Sequence, residues 1–206
     1  MLGVTGATYY PHTFLKNFCR MRNWKIVDYK DKRIIVGSRK DPHQHNHSGS
    51  VTLKLAEGWF DTFFCEWPYW NKWYSPNFSL KGKTVLDVGA GCGESAAFFF
   101  LSGVHQVIGI ESAPVALECL RENAKNNHWK LEIVPRKFEL SDLNRCFDFL
   151  KMDIEGGEML LLGIDRLPPC SIEVHGMELL RRFMERFPYL RIFRTLGRTP
   201  NWILKG

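Results

Sequence analysis

This chain of 206 residues lacks closely spaced cysteines. Its six cysteines are Cys19, Cys65, Cys92, Cys119, Cys146 and Cys170. None stands in a Cys-x-x-Cys pair, the spacing typical of zinc sites and redox motifs. Several lie in apolar runs, where a thiol packs as a small hydrophobic side chain. The pattern predicts reduced thiols and a cytoplasmic protein.

Long hydrophobic runs are also absent. The longest apolar stretch, residues 95–110, is interrupted by Gly103, His105 and Gln106, and the first 14 residues lack a basic segment followed by an apolar core. A membrane-spanning helix needs about 20 consecutive apolar residues, and a signal peptide needs that apolar core. The sequence therefore predicts neither, and nothing in it indicates an oligomeric state.

Acidic residues are scarce at both ends of the chain. The net charge is +6, but residues 1–56 carry +7 and residues 176–206 carry +5, whereas residues 57–175 carry −6. Basic flanks can attract RNA or another anionic partner by long-range electrostatics. A solvated basic surface explains the same pattern equally well.

The first 56 residues read as a small β-rich extension. Short alternating segments at 24–29, 33–37 and 51–55 predict three strands. The polar segment between the last two predicts a loop, in which His43, His45 and His47 alternate. Imidazoles bind transition metals, but no fourth ligand is evident nearby, so we predict no metal site here.

Residues 57–76 hold an unusual density of aromatic side chains, including Trp59, Trp67, Trp70 and Trp73. Core packing explains them, and so does a cover over a cationic cofactor, because aromatic faces attract cations and exclude water. The two interpretations stay equally open.

From Thr84 onward, predicted strands and helices alternate. Strands are expected at 84–88, 106–110, 131–134, 147–153 and 171–175, and helices at 94–102, 113–127 and 177–187. This alternation is typical of an α/β domain with a mostly parallel sheet, here residues 57–206. Two last segments, 189–195 and 201–205, predict an antiparallel C-terminal hairpin at the sheet edge.

The first of these strands runs into the glycine turn Gly89-Ala90-Gly91-Cys92-Gly93. Glycine allows such a turn to bend sharply and lets backbone N–H groups approach a ligand. Glu111 ends the next strand, where an acidic side chain can accept hydrogen bonds from ribose hydroxyls. The spacing predicts a nucleoside cofactor, although tight turns also use glycine for geometry alone.

Two later strands end in titratable side chains. Asp153 and Glu155 share one face of an extended strand end, and Glu173 and His175 reach a similar rim by the same alternation. Ligands bind at this edge of open parallel sheets, and His175 titrates near neutrality. We predict Asp153, Glu155 and His175 as catalytic residues. Structural roles for Glu173 and His175 remain equally open.

Residues 85–175 resemble the class I S-adenosylmethionine-dependent methyltransferases, most closely the FkbM family. The resemblance rests on the glycine turn with Asp87 and Glu94, on Glu111 and on the helix from Leu120; most specific is Lys151-Met152-Asp153-Ile154-Glu155-Gly156-Gly157-Glu158. It implies a Rossmann-like fold and S-adenosylmethionine as cofactor.

The resemblance also implies roles for particular residues. Gly89, Ala90, Gly91 and Gly93 are expected against the methionine part of the cofactor, Glu111 at the ribose, and Lys137 with Phe138 beside adenine. Asp87, Ser112 and Asp153 complete the expected cofactor site.

The FkbM resemblance implies O-methylation of a small-molecule, sugar or lipid-like acceptor. An RNA (tRNA or rRNA) methyltransferase is the alternative, favoured by the basic flanks and the aromatic residues. An NAD-dependent dehydrogenase and a noncatalytic binding module also fit the glycine turn, but they leave the Asp153–Glu158 segment unexplained.

Overall fold

A computed structural model describes residues 25–28, 30–36, 50–194 and 201–206. The histidine loop predicted around His43, His45 and His47 lies outside these residues, as do Cys19 and the turn between the two last strands. None of the helices that the structure describes combines the length and the apolar character needed to cross a membrane.

A seven-stranded sheet forms the centre of the molecule. Its strands are β4 (Thr84–Val88), β5 (Gln106–Ile110), β6 (Leu131–Val134), β7 (Phe149–Met152), β8 (Cys170–His175), β9 (Arg191–Arg194) and β10 (Asn201–Lys205). They lie in the order β6-β5-β4-β7-β8-β10-β9. The strands from β4 to β8 are parallel, and β10 is antiparallel to both β8 and β9. The predicted α/β fold and its antiparallel C-terminal pair are thus confirmed.

Within the described residues, four α-helices accompany the sheets: α1 (Glu57–Tyr74), α2 (Glu94–Leu101), α3 (Pro114–Asn126) and α4 (Met177–Arg186). Two short 3-10 segments, Leu140–Asn144 and Gly157–Gly163, occupy the connections that flank β7. The predicted strand at 147–153 is shorter than expected, because Asp153 already leaves the sheet and Gly156 turns the chain with a φ of 97°.

A small antiparallel sheet precedes the central one, in the order β1 (Lys25–Asp28), β2 (Arg33–Val36) and β3 (Val51–Lys54). Asp28 shapes the first turn, because its carboxylate accepts hydrogen bonds from the backbone N–H groups of Lys30 and Asp31. Alternating burial in β2 and β3 turns one face of this sheet inward.

The small sheet is joined to the rest of the molecule by α3. The side-chain amides of Asn123 and Asn127 exchange hydrogen bonds of 2.8–2.9 Å with the backbone of Lys54 and Thr52, so they serve the edge of β3 as a neighbouring strand would. Buried side chains from β2, β3, α1, α2 and β4 form one continuous apolar core. The small sheet therefore shares its core with the main domain.

Candidate functional site

A cavity of about 660 Å³ opens at the carboxyl ends of β4, β5, β7 and β8. Open parallel sheets bind ligands at this edge, and the volume suits a cofactor of nucleoside size. The cavity is bounded by the glycine turn, the ends of β5 and β8, and one face of α1.

The glycine turn crosses one side of the cavity. Gly89, Gly91 and Gly93 have φ values of 77°, 55° and 93°, a left-handed conformation that L side chains rarely adopt. A Cβ atom on Gly89 would overlap the backbone carbonyl oxygen of Asp153, so this position accepts only glycine. Gly89 and Gly91 line the cavity. Ala90 and Gly93 are buried behind it, where Gly93 faces Leu120.

A buried ion pair supports the turn from below. Asp87 is 0% exposed, accepts a hydrogen bond of 2.6 Å from the Ser95 hydroxyl and lies 3.2 Å from Lys151 Nζ. Lys151 also donates a hydrogen bond of 2.7 Å to the Gly89 carbonyl. Burial alone would lower the pKa of Lys151, but Asp87 and Asp153 outweigh it and raise that pKa. Asp87 thus lies beneath the turn and Lys151, not Asp87, reaches the cavity.

Glu111 directly follows β5, and its carboxylate contacts the glycine turn. One carboxylate oxygen accepts a hydrogen bond of 2.9 Å from Gly91 N–H, and the other accepts bonds of 2.7 Å from Ser112 and Ala113 N–H. These bonds fix the carboxylate at the cavity wall, where Ser112 also lies. The oxygen that accepts from Gly91 accepts only this one bond among the described residues, so its second lone pair can still accept a hydroxyl donor.

Residues after β6 form another side of the cavity. Lys137 is exposed and Phe138 is buried, and both line it, as predicted for the region that borders adenine. Their neighbour Arg136 is held by two hydrogen bonds of 2.7–2.8 Å to the buried carboxylate of Asp142. This pairing holds the Arg136 side chain in place beside the cavity.

Helix α1 holds the aromatic segment, for which core packing and a cover over the cofactor are the two expected roles. Phe63 and Trp67 on one face are buried in the core, with ring centroids 5.1 Å apart. Trp59 lines the cavity, and Trp70 does so while also packing against Phe63 and Trp67 in the core. The helix therefore packs the core and covers the site at the same time.

The predicted catalytic residues meet at the floor of the cavity. His175 Nε2 lies 3.7 Å from Asp153 Oδ1, 3.7 Å from Glu155 Oε2 and 3.9 Å from Glu173 Oε1. On its other side, His175 Nδ1 lies 3.0 Å from the buried carboxylate of Glu158. Four carboxylates thus surround one imidazole.

Acidic side chains outnumber basic ones along the cavity, and they shift one another's pKa values. Removal from water, followed by neighbouring carboxylates such as Asp153 and Asp87, raises the pKa of Glu66, Glu94 and Glu173 to about 8 in each case. Burial alone would lower the pKa of His175, but Glu158 and Asp153 outweigh it and raise that pKa to about 9. Such a site favours a cationic ligand and disfavours the pyrophosphate of NAD.

Several cavity residues escaped prediction: Trp59, Glu66, Trp70, Tyr74, Glu94, Lys151 and Asn201. Lys151 carried a usable signal, because a lysine inside an apolar strand needs a buried partner. Glu94 adjoins the glycine turn in sequence. Asn201 has no local signal, since only the pairing of β10 with β8 places it at the floor.

Sequence comparison finds methyltransferases. The chain is 26% identical over 175 residues to the ribosomal protein L11 methyltransferase of Thermosipho africanus, covering 84% of this chain and 65% of that protein. It is 39% identical over 75 residues to the protein of the same name from Aquifex aeolicus, covering 36% of this chain and 30% of that one. The chain thus spans less than two thirds of either relative. No family model matches it.

Solved structures share the fold. A methyltransferase from Pyrococcus furiosus superposes with a TM-score of 0.56 at 17% identity, covering 74% of this chain and 88% of that one. Fibrillarin from Aeropyrum pernix, solved with S-adenosylmethionine bound, superposes with a TM-score of 0.51 at 10% identity, covering 84% and 93%. The chain has the Rossmann-like fold of the class I, S-adenosylmethionine-dependent methyltransferases.

Proposed function

We propose that this chain is an S-adenosylmethionine-dependent methyltransferase. The observation that carries the proposal is a glycine turn hydrogen-bonded to Glu111 at the wall of a cavity that is lined by several carboxyl groups. Gly89 lies so close to the Asp153 carbonyl oxygen that no side chain fits there, which leaves the backbone of the turn bare beside the cavity, and the buried Oε2 of Glu94 has no hydrogen-bond partner among the described residues. Both features suit a cofactor that carries an ammonium and a sulfonium group.

When bound, the cofactor supplies a methyl group on a positively charged sulfur. The chain's own residues then have two tasks: alignment of the acceptor and removal of its proton. Glu111 and Ser112 would hold the ribose, and Lys137 with Phe138 would border adenine. Asp153, Glu155 and His175 lie where an acceptor enters, and we assign proton removal to this group.

For the acceptor we propose a macromolecule of the ribosome, with a protein as the first candidate. The names of the sequence relatives support this better than they support the small-molecule, sugar or lipid-like acceptor that the FkbM resemblance implies. RNA is the second candidate, because the segments 1–56 and 176–206 carry +7 and +5. A cytoplasmic location is part of the same proposal.

Two measurements test the proposal. Calorimetric titration of the purified protein should show binding of S-adenosylmethionine and of its demethylated product but not of NAD. Labelled methyl groups should then pass from the cofactor to one of three matched acceptor pools: ribosomal proteins, deproteinised ribosomal RNA or a small-molecule extract. Binding of NAD alone overturns the enzyme class, whereas labelling confined to the extract overturns the acceptor.

A further inference from the structure

Three metal-binding groups converge at the floor of the cavity. One oxygen each of Asp153 and Glu173 and one nitrogen of His175 lie within 4.8 Å of one another. The three side chains come from the end of β7 and from β8, two adjacent parallel strands. Carboxylate oxygen and imidazole nitrogen are both common ligands of divalent metal ions.

The imidazole is already oriented for such a role. Glu158 is 0% exposed and accepts hydrogen bonds from the backbone N–H groups of His175, at 2.9 Å, and Gly156, at 2.7 Å. Its carboxylate also lies 3.0 Å from His175 Nδ1. A carboxylate at Nδ1 keeps a proton there, so a metal ion that displaces the other ring proton would bind at Nε2, which faces Asp153 and Glu173. Histidines that bind metal ions are held in this way by a second carboxylate.

Glu173 supplies an independent indication. The residue is 5% exposed, and its Oε1 accepts a hydrogen bond of 3.0 Å from the Asn201 side chain. The other oxygen, Oε2, is buried and has no hydrogen-bond partner among the residues that the structure describes. The side chain lines the cavity. A buried carboxylate oxygen without a donor is costly unless a ligand satisfies it.

We propose that Asp153, Glu173 and His175 bind one divalent metal ion of the Mn²⁺ type. His175 Nε2 lies 3.7 Å from Asp153 Oδ1 and 3.9 Å from Glu173 Oε1, so small side-chain adjustments bring all three groups onto one ion. Mixed carboxylate and imidazole ligands with open positions for water suit Mn²⁺. The exposed carboxylate of Glu155, 3.7 Å from His175 Nε2, lies beside the site.

The location of this site connects it to the acceptor. The Asp153 backbone lies against Gly89, so the ion would lie next to the glycine turn at the floor of the cavity. There it would bind an oxygen or nitrogen of the acceptor and lower the pKa of that group, so that its proton leaves more readily to a carboxylate or to water. Metal binding itself does not depend on methyl transfer.

Metal binding is tested on the full chain without cofactor. After treatment with a chelator and its removal, MnCl₂ is titrated by calorimetry, with the spectrum of bound Mn²⁺ followed by electron paramagnetic resonance. We expect one ion per chain. Glu173→Gln and His175→Asn should weaken binding at least tenfold, and Glu158→Gln roughly 10- to 100-fold, because it orients the imidazole.

The exposed carboxylate of Glu118, on α3, provides the control, since Glu118→Gln should bind Mn²⁺ as the wild type does. Circular dichroism establishes that each variant is folded. Failure of the folded wild-type protein to bind Mn²⁺, or wild-type affinity in Glu173→Gln, overturns the metal site. Binding of S-adenosylmethionine is titrated separately, so a failed metal site and a failed methyltransferase assignment are distinguishable.

Discussion

Glu111 shows how one side chain can serve both structure and binding. Its carboxylate accepts three backbone N–H groups at the glycine turn and at the start of α3. Hydrogen bonds to a charged group contribute roughly 1.5–3 kcal/mol each, so loss of this carboxylate affects the turn as well as any ribose bound to it.

Glu111→Ala should weaken S-adenosylmethionine binding by about one to a few powers of ten, because both the ribose contacts and the fixed turn are lost. Calorimetric titration measures this change. Glu118→Ala removes an exposed carboxylate two turns away and should leave the affinity unchanged. An unaltered dissociation constant in Glu111→Ala would reject the ribose assignment.

Lys151 and Asp87 form a buried ion pair that the sequence alone does not reveal. Each is almost fully buried, and each would be costly alone in the interior. Together, with Ser95 and the Gly89 carbonyl, they form a hydrogen-bonded network directly beneath the turn. The strand sequence shows a lysine that needs a buried partner. Asp87 lies 64 residues earlier in the chain, so the sequence does not identify it as that partner.

At the scale of elements, α3 performs a role that its amphipathic pattern does not reveal. Asn123 and Asn127 lie one turn apart on the same face and satisfy backbone groups of β3. Asn123 is 0% exposed and also donates to the Cys92 carbonyl in the glycine turn. One asparagine therefore connects the small sheet, the helix and the turn.

Asn123→Ala should reduce the free energy of unfolding by roughly 2–4 kcal/mol, because it leaves three backbone groups without their partners. Urea unfolding followed by circular dichroism measures this value. The matched control is Asn126→Ala on the same helix, where the side chain is exposed and the change should stay within about 0.5 kcal/mol. Equal values for the two variants would refute the bridging role of Asn123.

At the scale of the whole molecule, charge is separated. The chain is basic overall, yet its cavity gathers carboxylates from α1, α2, β7 and β8 around few cations. The carboxyl groups of the cavity favour a small cationic ligand, whereas the positive net charge of the chain favours an anionic partner. The free energy of unfolding also depends on ionised carboxylates elsewhere in the molecule, such as Asp142. Its dependence on pH tests their contribution.

Asp142 should stabilise the folded chain above about pH 4 and lose this effect as the pH falls towards 2. Burial alone raises the pKa of Asp142, but hydrogen bonds from Arg136, Glu139 N–H and Arg145 outweigh it and lower that pKa to about 2. A carboxyl group with a lowered pKa in the folded state stabilises only while ionised, and here the effect amounts to roughly 2 kcal/mol.

Asp142→Asn removes this contribution, so the difference in unfolding free energy between wild type and variant should shrink as the pH falls from about 6 to 2. Chemical denaturation at a series of pH values measures it. Asp165→Asn serves as the control, because Asp165 forms its ion pair with Arg186 in full contact with solvent and should keep the wild-type pH profile. A constant difference between Asp142→Asn and wild type would contradict the assignment.

The amino-acid sequence alone predicts the α/β alternation, the parallel sheet, the C-terminal antiparallel pair, and the glycine turn with Glu111. These features follow from local periodicity and from short motifs whose residues are neighbours in the chain. Gly89, Gly91, Glu111, Ser112, Lys137, Phe138, Asp153, Glu155 and His175 were all expected at the site and all line the cavity.

Which charged groups contact one another becomes apparent only in the folded chain. In the fold, Asp87 lies under the glycine turn and Lys151 contacts both. Helix α1 contributes side chains to the core and to the cavity. Glu173 and Glu158 lie on either side of His175. The physical reason is that burial and long-range pairing set the cost and the partner of each ionisable group. Neither is encoded in the spacing of residues along a strand.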